Sequence, residues 1–358
     1  MGVKIIAEAG VNHNGEIELA KELIFAAAEA GVDVVKFQTF NTSEVLCLNA
    51  EKADYQKLHT GDGETQYEMV KRLELSYEMH HELLDTCNKC NVEFLSTAFD
   101  HGSLDFLLNK MKLQTLKIPS GEITNGPFIL SHARSNCDII LSTGMSSIDE
   151  IEAALAILAY GILKPSCAVA SLDECVDIFA LEEAKSVLSS KVTLLHCTSQ
   201  YPAPANSVNI LAIKTLQEAF GMKVGYSDHT EGYIAAVAAV TLGATIIEKH
   251  FTLDKNLKGP DHKASVEPYE LKIFVENIRQ AEIMRGGGVK VLQECEKDTL
   301  SVARKSLVAK CAILKDEKFT QDNISILRPG TGISPMRYWE YLHKTANRAY
   351  EENEIIVK

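Results

Sequence analysis

Two short runs decide the fold: Tyr226-Ser227-Asp228-His229-Thr230 and Ile247-Glu248-Lys249-His250-Phe251. Each histidine follows a β-branched or apolar run, Met222-Lys223-Val224-Gly225-Tyr226 in one case and Thr245-Ile246-Ile247 in the other. Each precedes a turn-rich or helix-starting segment, so both imidazoles are expected at the C-terminal ends of strands. The interval between them, 21 residues, equals one helix plus one strand and places them on neighbouring strands. In a barrel of parallel strands this is the face where catalytic groups collect. Two neutral imidazoles there can hold one divalent metal and leave positions open for a substrate oxygen.

Outward from these runs, strand and helix signals alternate along the chain. Strands are expected over 4–9, 32–38, 92–97, 115–119, 138–142, 192–197, 222–227 and 244–250. Amphipathic helices are expected over 17–30, 103–111, 148–158, 210–220, 232–242 and 268–284, where apolar residues recur at helical spacing. Eight β-α units in a row predict a closed parallel α/β fold, the TIM (β/α)8 barrel. An open doubly wound sheet would carry a glycine-rich phosphate fingerprint after the first strand, and Gly10-Val11-Asn12-His13-Asn14-Gly15 does not fit it. Gly10 and Gly15 are expected to turn the first βα loop tightly. A long polar segment, 41–67, has the character of an active-site lid. Residues 163–191 form an excursion with a helix expected over 179–188. The barrel pattern closes at Gly286-Gly287-Gly288, giving a catalytic domain over 1–288, a linker over 289–301 and a small β-rich domain over 302–358. Strand-like pieces in the last of these fall at 306–309, 324–327 and 354–357.

The chain has 358 residues, 46% of them apolar, enough for a full core. A formal charge of -13 argues against a nucleic-acid partner, because phosphate backbones require a positive field. Nine cysteines without framework spacing are expected as reduced thiols in a cytoplasmic protein. The lone Cys87/Cys90 pair sits in a helical stretch and is read as two semi-buried helix residues. The first strand is expected to start at Lys4, so no signal peptide is expected, and no apolar run reaches membrane-spanning length.

Chemistry is expected at the strand ends. Lys36 and Lys117 lie in otherwise apolar strands, where an ammonium group is costly unless paired. With hydroxyls at Thr97, Ser120, Ser142, Thr143, Thr198, Ser199 and Ser227, they would make a pocket for phosphate or carboxylate. Glu8, Gln38, Glu122 and Asp261 add acceptors suited to a polyhydroxylated substrate. Glu8 has a simpler reading as the buried partner of Lys36, compatible with function. Among the histidines, His229 and His250 form the best pair, and His262 is a third candidate. His196 is expected in a core or supporting role. His59, His80, His81, His101, His132 and His343 are expected at the surface.

Ile6-Ala7-Glu8-Ala9-Gly10-Val11-Asn12-His13-Asn14-Gly15, Val35-Lys36-Phe37-Gln38-Thr39-Phe40, Lys117-Ile118-Pro119-Ser120-Gly121-Glu122 and Leu141-Ser142-Thr143-Gly144-Met145 resemble the sialic acid synthase family. So do Leu195-His196-Cys197-Thr198, Gly259-Pro260-Asp261-His262 and the two histidine runs. The tail, with Arg328-Pro329-Gly330-Thr331-Gly332, resembles the antifreeze-like (SAF) domain that closes these enzymes. The resemblance implies condensation of phosphoenolpyruvate with an N-acylated hexosamine, giving a nonulosonic acid and phosphate. It implies Mn²⁺, Mg²⁺ or Co²⁺ on His229 and His250, and phosphoenolpyruvate on Lys36, Thr97, Lys117, Ser120, Ser199 and Ser227. It implies the sugar on Glu8, Gln38, Tyr201 and Asp261, with Arg328 reaching its N-acyl group from the partner chain of a domain-swapped homodimer. Catalytic roles are expected for Lys36, Lys117, Glu8, Glu122 and Glu248, with Glu248 and Glu122 as the alternative candidates for handling protons. Two positions depart from the family pattern: several members have Asn where Ser199 stands, and a glycine is usual where His343 precedes Lys344.

Three alternatives follow from the same residues. A relative in the family would make N,N'-diacetyllegionaminic acid from 2,4-diacetamido-2,4,6-trideoxy-mannose, or pseudaminic acid. A metal-dependent pyruvate aldolase would use similar groups but release no phosphate. A sugar-binding or structural protein would not need two strand-end histidines together with two strand-end lysines.

Overall fold

The computed structural model describes residues 2–53, 56–57, 60–61 and 63–358. They form two compact units that divide between Gly286 and Gly287. The first is a closed barrel of eight parallel strands: β1 (Lys4–Gly10), β2 (Val34–Thr39), β3 (Glu93–Ala98), β4 (Thr115–Ile118), β5 (Asp138–Ser142), β6 (Val192–Cys197), β7 (Lys223–Asp228) and β8 (Ile246–His250). β8 pairs with β1 to close the ring, setting Ile6 opposite Glu248 and Glu8 opposite His250.

Strand alternation builds the interior in layers. Ile6, Val34, Leu95, Ile140, Leu195 and Ile246 form a buried apolar cluster. Two residues further along the same strands stand Glu8, Lys36, Thr97, Ser142, Cys197 and Glu248, all lining one cavity. Gly225 on β7 belongs to the apolar level, because a Cβ there would come within 2.6 Å of both Ile246 O and Leu195 Cδ2. The outward-facing residues, among them Phe37, Ile118, Leu141 and Ile247, pack with Leu23, Leu83, Leu155 and Phe274 of the surrounding helices. Each such buried side chain contributes roughly 1.5–3 kcal/mol.

The first helix, Ile17–Ala30, stops at Gly31, whose left-handed backbone lets its N–H return to Ala27 and Ala28 carbonyls. Before it, Gly15 turns the first βα loop as expected: its φ is +80°, and a Cβ would lie 2.5 Å from Arg72 O. The expected helices at 148 and 268 run longer, over Ile148–Leu163 and Pro268–Arg285. The one expected over 103–111 is a short α-helix, His101–Asp105, followed by a π-turn, Phe106–Lys110. A helix at Gly126–Ala133 was not anticipated, and in the excursion two helices, Leu172–Phe179 and Glu182–Lys191, replace the single one expected. In the latter Ser171 caps the first by accepting from Glu174 N, and the chain turns between Ala180 and Leu181. Residues 54, 55, 58, 59 and 62 of the polar segment, including His59, lie outside the described residues. Its described part contains the helices Thr42–Val45 and Gln66–Lys71, the latter opened by a Thr65/Glu68 capping box.

Two histidines expected at the surface are buried, His80 and His132. They sit on the inward faces of Tyr77–Cys90 and Gly126–Ala133. Each satisfies Nδ1 within its own helix, donating to Ser76 O at 2.8 Å and Phe128 O at 2.9 Å, so neither needs water on that side. Cys87 and Cys90 lie in Tyr77–Cys90 as read from the sequence, and all nine cysteines are free.

The second unit pairs β9 (Ser306–Ala309) antiparallel with β10 (Ile324–Leu327) over Leu307, Ile313, Phe319, Ile333, Tyr350 and Ile356. The strand expected at 354–357 is a single bridge, Ile355 opposite Val308. Within the expected linker a helix begins, Lys297–Ala303. His343 adopts φ 70°, the left-handed conformation that favours glycine. Among the described residues, no helix is long and apolar enough to cross a membrane.

Candidate active site

The polar layer opens into a cavity of about 500 Å³ at the C-terminal ends of the strands. Its floor is a network of buried charges. Lys36 Nζ lies 2.8 Å from Glu8 Oε2 and 3.5 Å from Glu248 Oε2. Lys117 Nζ lies 3.2 Å from both oxygens of Glu248. Lys36 also donates to Thr97 Oγ1 at 3.2 Å, Ser227 Oγ to Glu248 Oε1 at 2.9 Å, and Gln38 Nε2 to Glu8 Oε1 at 3.2 Å. Pairing with Glu8 therefore coexists with exposure of the same lysine to the cavity.

Burial works against every charge here, and the partners decide the outcome. For Glu248, burial is outweighed by Lys117 and Lys36, which hold its carboxyl far below the usual range. Lys36 is likewise desolvated, yet Glu248 and Glu8 keep it an ammonium group. Burial prevails at Lys117, whose pKa is lowered despite Glu248. Burial, with Glu8 beside it, pushes Asp261 up to about 7.

A second cluster surrounds Gly144. A Cβ on this residue would lie 2.4 Å from Ser199 Oγ, 2.8 Å from Ser120 Oγ and 2.9 Å from Cys197 Sγ, so only glycine fits. Its N–H donates to Ser120 Oγ at 3.0 Å. These hydroxyls and the thiol face the same cavity as Lys117.

His229 and His250 meet with ring centroids 5.5 Å apart, and the Tyr201 ring stands 4.2 Å from the first and 5.5 Å from the second. His229 donates from Nδ1 to Thr198 O at 2.7 Å, which turns Nε2 and its lone pair toward Ser227, 3.4 Å away. His250 Nδ1 is buried without a hydrogen-bond partner, 3.9 Å from Asp261 Oδ2. Burial lowers the pKa of both rings, and at His250 the neighbouring His229 adds to it. Two neutral imidazoles, one oriented by a carbonyl and one with an unsatisfied nitrogen, fit a divalent metal. Among the described residues, no group of three or more His, Cys, Asp or Glu side chains makes a complete metal cage. Protein ligands would thus be few, leaving room for substrate oxygens.

Glu8, Lys36, Gln38, Thr97, Lys117, Ser120, Ser199, Tyr201, Ser227, His229, Glu248, His250 and Asp261 all line the cavity. Glu122 does not; its carboxylate accepts from Asn125 Nδ2 at 2.7 Å at the start of Gly126–Ala133. Arg328 belongs to the second unit and is exposed after β10. His262 is no ligand, because Nδ1 accepts from Thr252 Oγ1 at 2.7 Å and Nε2 donates to Asn14 Oδ1 at 3.2 Å. His196, expected in a core or supporting role, donates from Nε2 to Val208 O at 2.7 Å and does not line the cavity. The described residues Val45, Leu46, Ala53 and Gln56 of the polar segment form part of the wall. Sequence reading missed the wall residues Phe99 and Cys197; Cys197 was legible, being two positions beyond the interior Leu195.

A parallel barrel whose mouth joins paired lysines, two metal-competent imidazoles and a hydroxyl cradle defines an enzyme site for an anionic substrate. The NeuB family profile matches residues 23–290, and the chain belongs to that family. It is 48% identical to the N,N'-diacetyllegionaminic acid synthase of Campylobacter jejuni, over 98% of each chain. It is 44% identical to the N,N'-diacetyllegionaminic acid synthase of Legionella pneumophila, over 92% of this chain and 86% of that one. Among solved structures it resembles the N-acetylneuraminic acid synthetase of Leptospira borgpetersenii in complex with citrate, with a TM-score of 0.67 and 31% identity over 84% of this chain and 90% of that one.

Proposed function

We propose that this chain condenses phosphoenolpyruvate with an open-chain N-acyl hexosamine and water, giving a nonulosonic acid and phosphate. The observation that carries the reading is the meeting of Lys36, Lys117 and Glu248 with His229 and His250 in one cavity. In this reading Lys36 and Lys117 neutralise the carboxylate and phosphate of phosphoenolpyruvate, with hydroxyls from Thr97, Ser120, Ser199 and Ser227 completing its shell. Fixed donors of this kind need no reorganisation during reaction. Glu8, Gln38, Tyr201 and Asp261 hold the sugar.

A divalent ion on His229 and His250, Mn²⁺ by preference, supplies Lewis-acid polarisation of the aldehyde oxygen when bound. The methylene carbon of phosphoenolpyruvate bonds to the aldehyde carbon, water adds at the resulting cationic C2, and loss of phosphate leaves the keto group. Anions arriving at Lys36 and Lys117 compete with Glu248 for the same ammonium groups. That competition relaxes the hold on its carboxyl and makes Glu248 the group to take the proton of the attacking water. Glu122, outside the cavity, has no such part.

Identities of 48% and 44% to two N,N'-diacetyllegionaminic acid synthases favour 2,4-diacetamido-2,4,6-trideoxy-mannose over N-acetylmannosamine as the sugar. The second unit serves as the SAF module of a domain-swapped homodimer, with Arg328 reaching the N-acyl group in the partner's barrel; the exposure of Arg328, Met336 and Trp339 supports this. The test is release of inorganic phosphate from phosphoenolpyruvate and Mn²⁺ with each sugar in turn. Sugar-dependent release, abolished by a chelator and restored by Mn²⁺, is expected. Carbon–carbon bond formation from pyruvate without phosphate would overturn the reading in favour of an aldolase.

A further inference from the structure

Each of the two imidazoles at the mouth is preceded in the chain by one member of a buried ion pair. Asp228 precedes His229 and Lys249 precedes His250. The two are partners in the register of β7 and β8, and Lys249 Nζ lies 3.2 Å from Asp228 Oδ2. The side chains of Lys249 and Asp228 are 1% and 0% exposed, so the pair is sealed from bulk solvent. By strand alternation they point away from the cavity, and Lys249 Nζ lies 5.7 Å from the ring centroid of Phe274 on Pro268–Arg285.

The pair also binds the backbone around His229. Asp228 Oδ1 accepts from Thr230 N at 2.9 Å and from Thr230 Oγ1 at 2.7 Å, closing a turn with His229 at its centre. Lys249 donates to Thr230 O from the neighbouring strand. His229 is thus fixed before, after and across. A buried ion pair is a poor source of stability, since apolar replacements of similar volume often do as well. What it adds is a fixed geometry between two strand ends.

We infer that Asp228 and Lys249 are positioning residues that set the separation and orientation of His229 and His250 for a divalent cation. The inference rests on the reading that those two imidazoles hold the metal. Outer partners of metal ligands typically change affinity by about 10–100-fold when removed.

The test is Mn²⁺ binding followed by the electron paramagnetic resonance of free Mn²⁺, together with thermal unfolding, on the full chain. The variants are D228N, K249M, the double variant D228N/K249M and H229A. D228N keeps the acceptor for Thr230 and removes the charge; K249M keeps the stem and removes the ammonium group. The single variants, each leaving one buried charge unpaired, are expected to lose thermal stability and to bind Mn²⁺ at least tenfold more weakly. The double variant is expected to regain stability and not affinity, and it keeps the question open to measurement if a single variant fails to fold. Affinity in the double variant within twofold of wild type would overturn the inference, because a merely structural role restores both together. Wild-type protein that binds no Mn²⁺, or H229A that binds it as well as wild type, would overturn the metal reading itself and this inference with it.

Discussion

Lys117 on β4 and Glu248 on β8 meet across the barrel interior, Nζ 3.2 Å from both carboxylate oxygens, although 131 residues separate them in the chain. Glu248→Gln removes the carboxylate that takes the proton of the attacking water in the proposed reaction, and it also removes the group that competes with an anion for Lys36 and Lys117. Turnover is expected to fall at least a hundredfold while the KM for phosphoenolpyruvate stays level or drops. Steady-state kinetics against phosphoenolpyruvate checks this, and a raised KM with normal kcat would argue that Glu248 serves binding alone.

Gly144→Ala presses a methyl group against Ser199, Ser120 and Cys197. The residue lies in a loop after β5, so the barrel is expected to fold with a melting temperature within a few degrees of wild type. The KM for phosphoenolpyruvate is expected to rise about tenfold or more, the size of effect that losing one hydrogen bond produces. Equal loss of affinity for both substrates would place the cradle at the sugar instead.

Arg328→Ala is expected to raise the sugar KM more than the phosphoenolpyruvate KM, with the circular dichroism spectrum unchanged. Equal effects would remove Arg328 from the sugar site.

The buried His132 makes stability depend on acid. Burial lowers its pKa to about 4, against 6.5 for the free side chain. Between those values the unfolded chain takes up a proton that the folded chain refuses, so stability is full above pH 6.5 and falls as pH drops toward 4. The slope from this residue approaches about 1.4 kcal/mol per pH unit, with a total near 3 kcal/mol. His132→Gln, which retains a donor for Phe128 O, is expected to flatten the dependence of unfolding free energy on pH over this range. Chemical denaturation at half-unit intervals gives the comparison.

The barrel was readable because its strands end in a consistent pattern. Apolar residues such as Ile6, Val34 and Ile246 fill one interior level, and the residues two positions on, Glu8, Lys36 and Glu248, break the apolar run where the site begins. That break is visible in one dimension, so most of the site was visible too. Asp228 and Lys249 were not, since an outward-facing charge looks solvated until a helix covers it. His80 and His132 were misplaced for the same reason: their hydrogen bonds to the carbonyl four residues earlier replace water, and nothing local announces which helix face is covered. Glu122 carried the right chemistry at a strand end but turned to Asn125, a choice made by the following helix start.

The apolar level of Ile6, Val34, Leu95, Ile140, Leu195 and Ile246 plugs the lower end of the barrel. The chamber above it is therefore closed beneath by hydrocarbon, and Lys36, Lys117 and Glu248 stand on an electrically inert base. A base of such low polarity does little to soften the field of those charges, so that field stays concentrated in the chamber above.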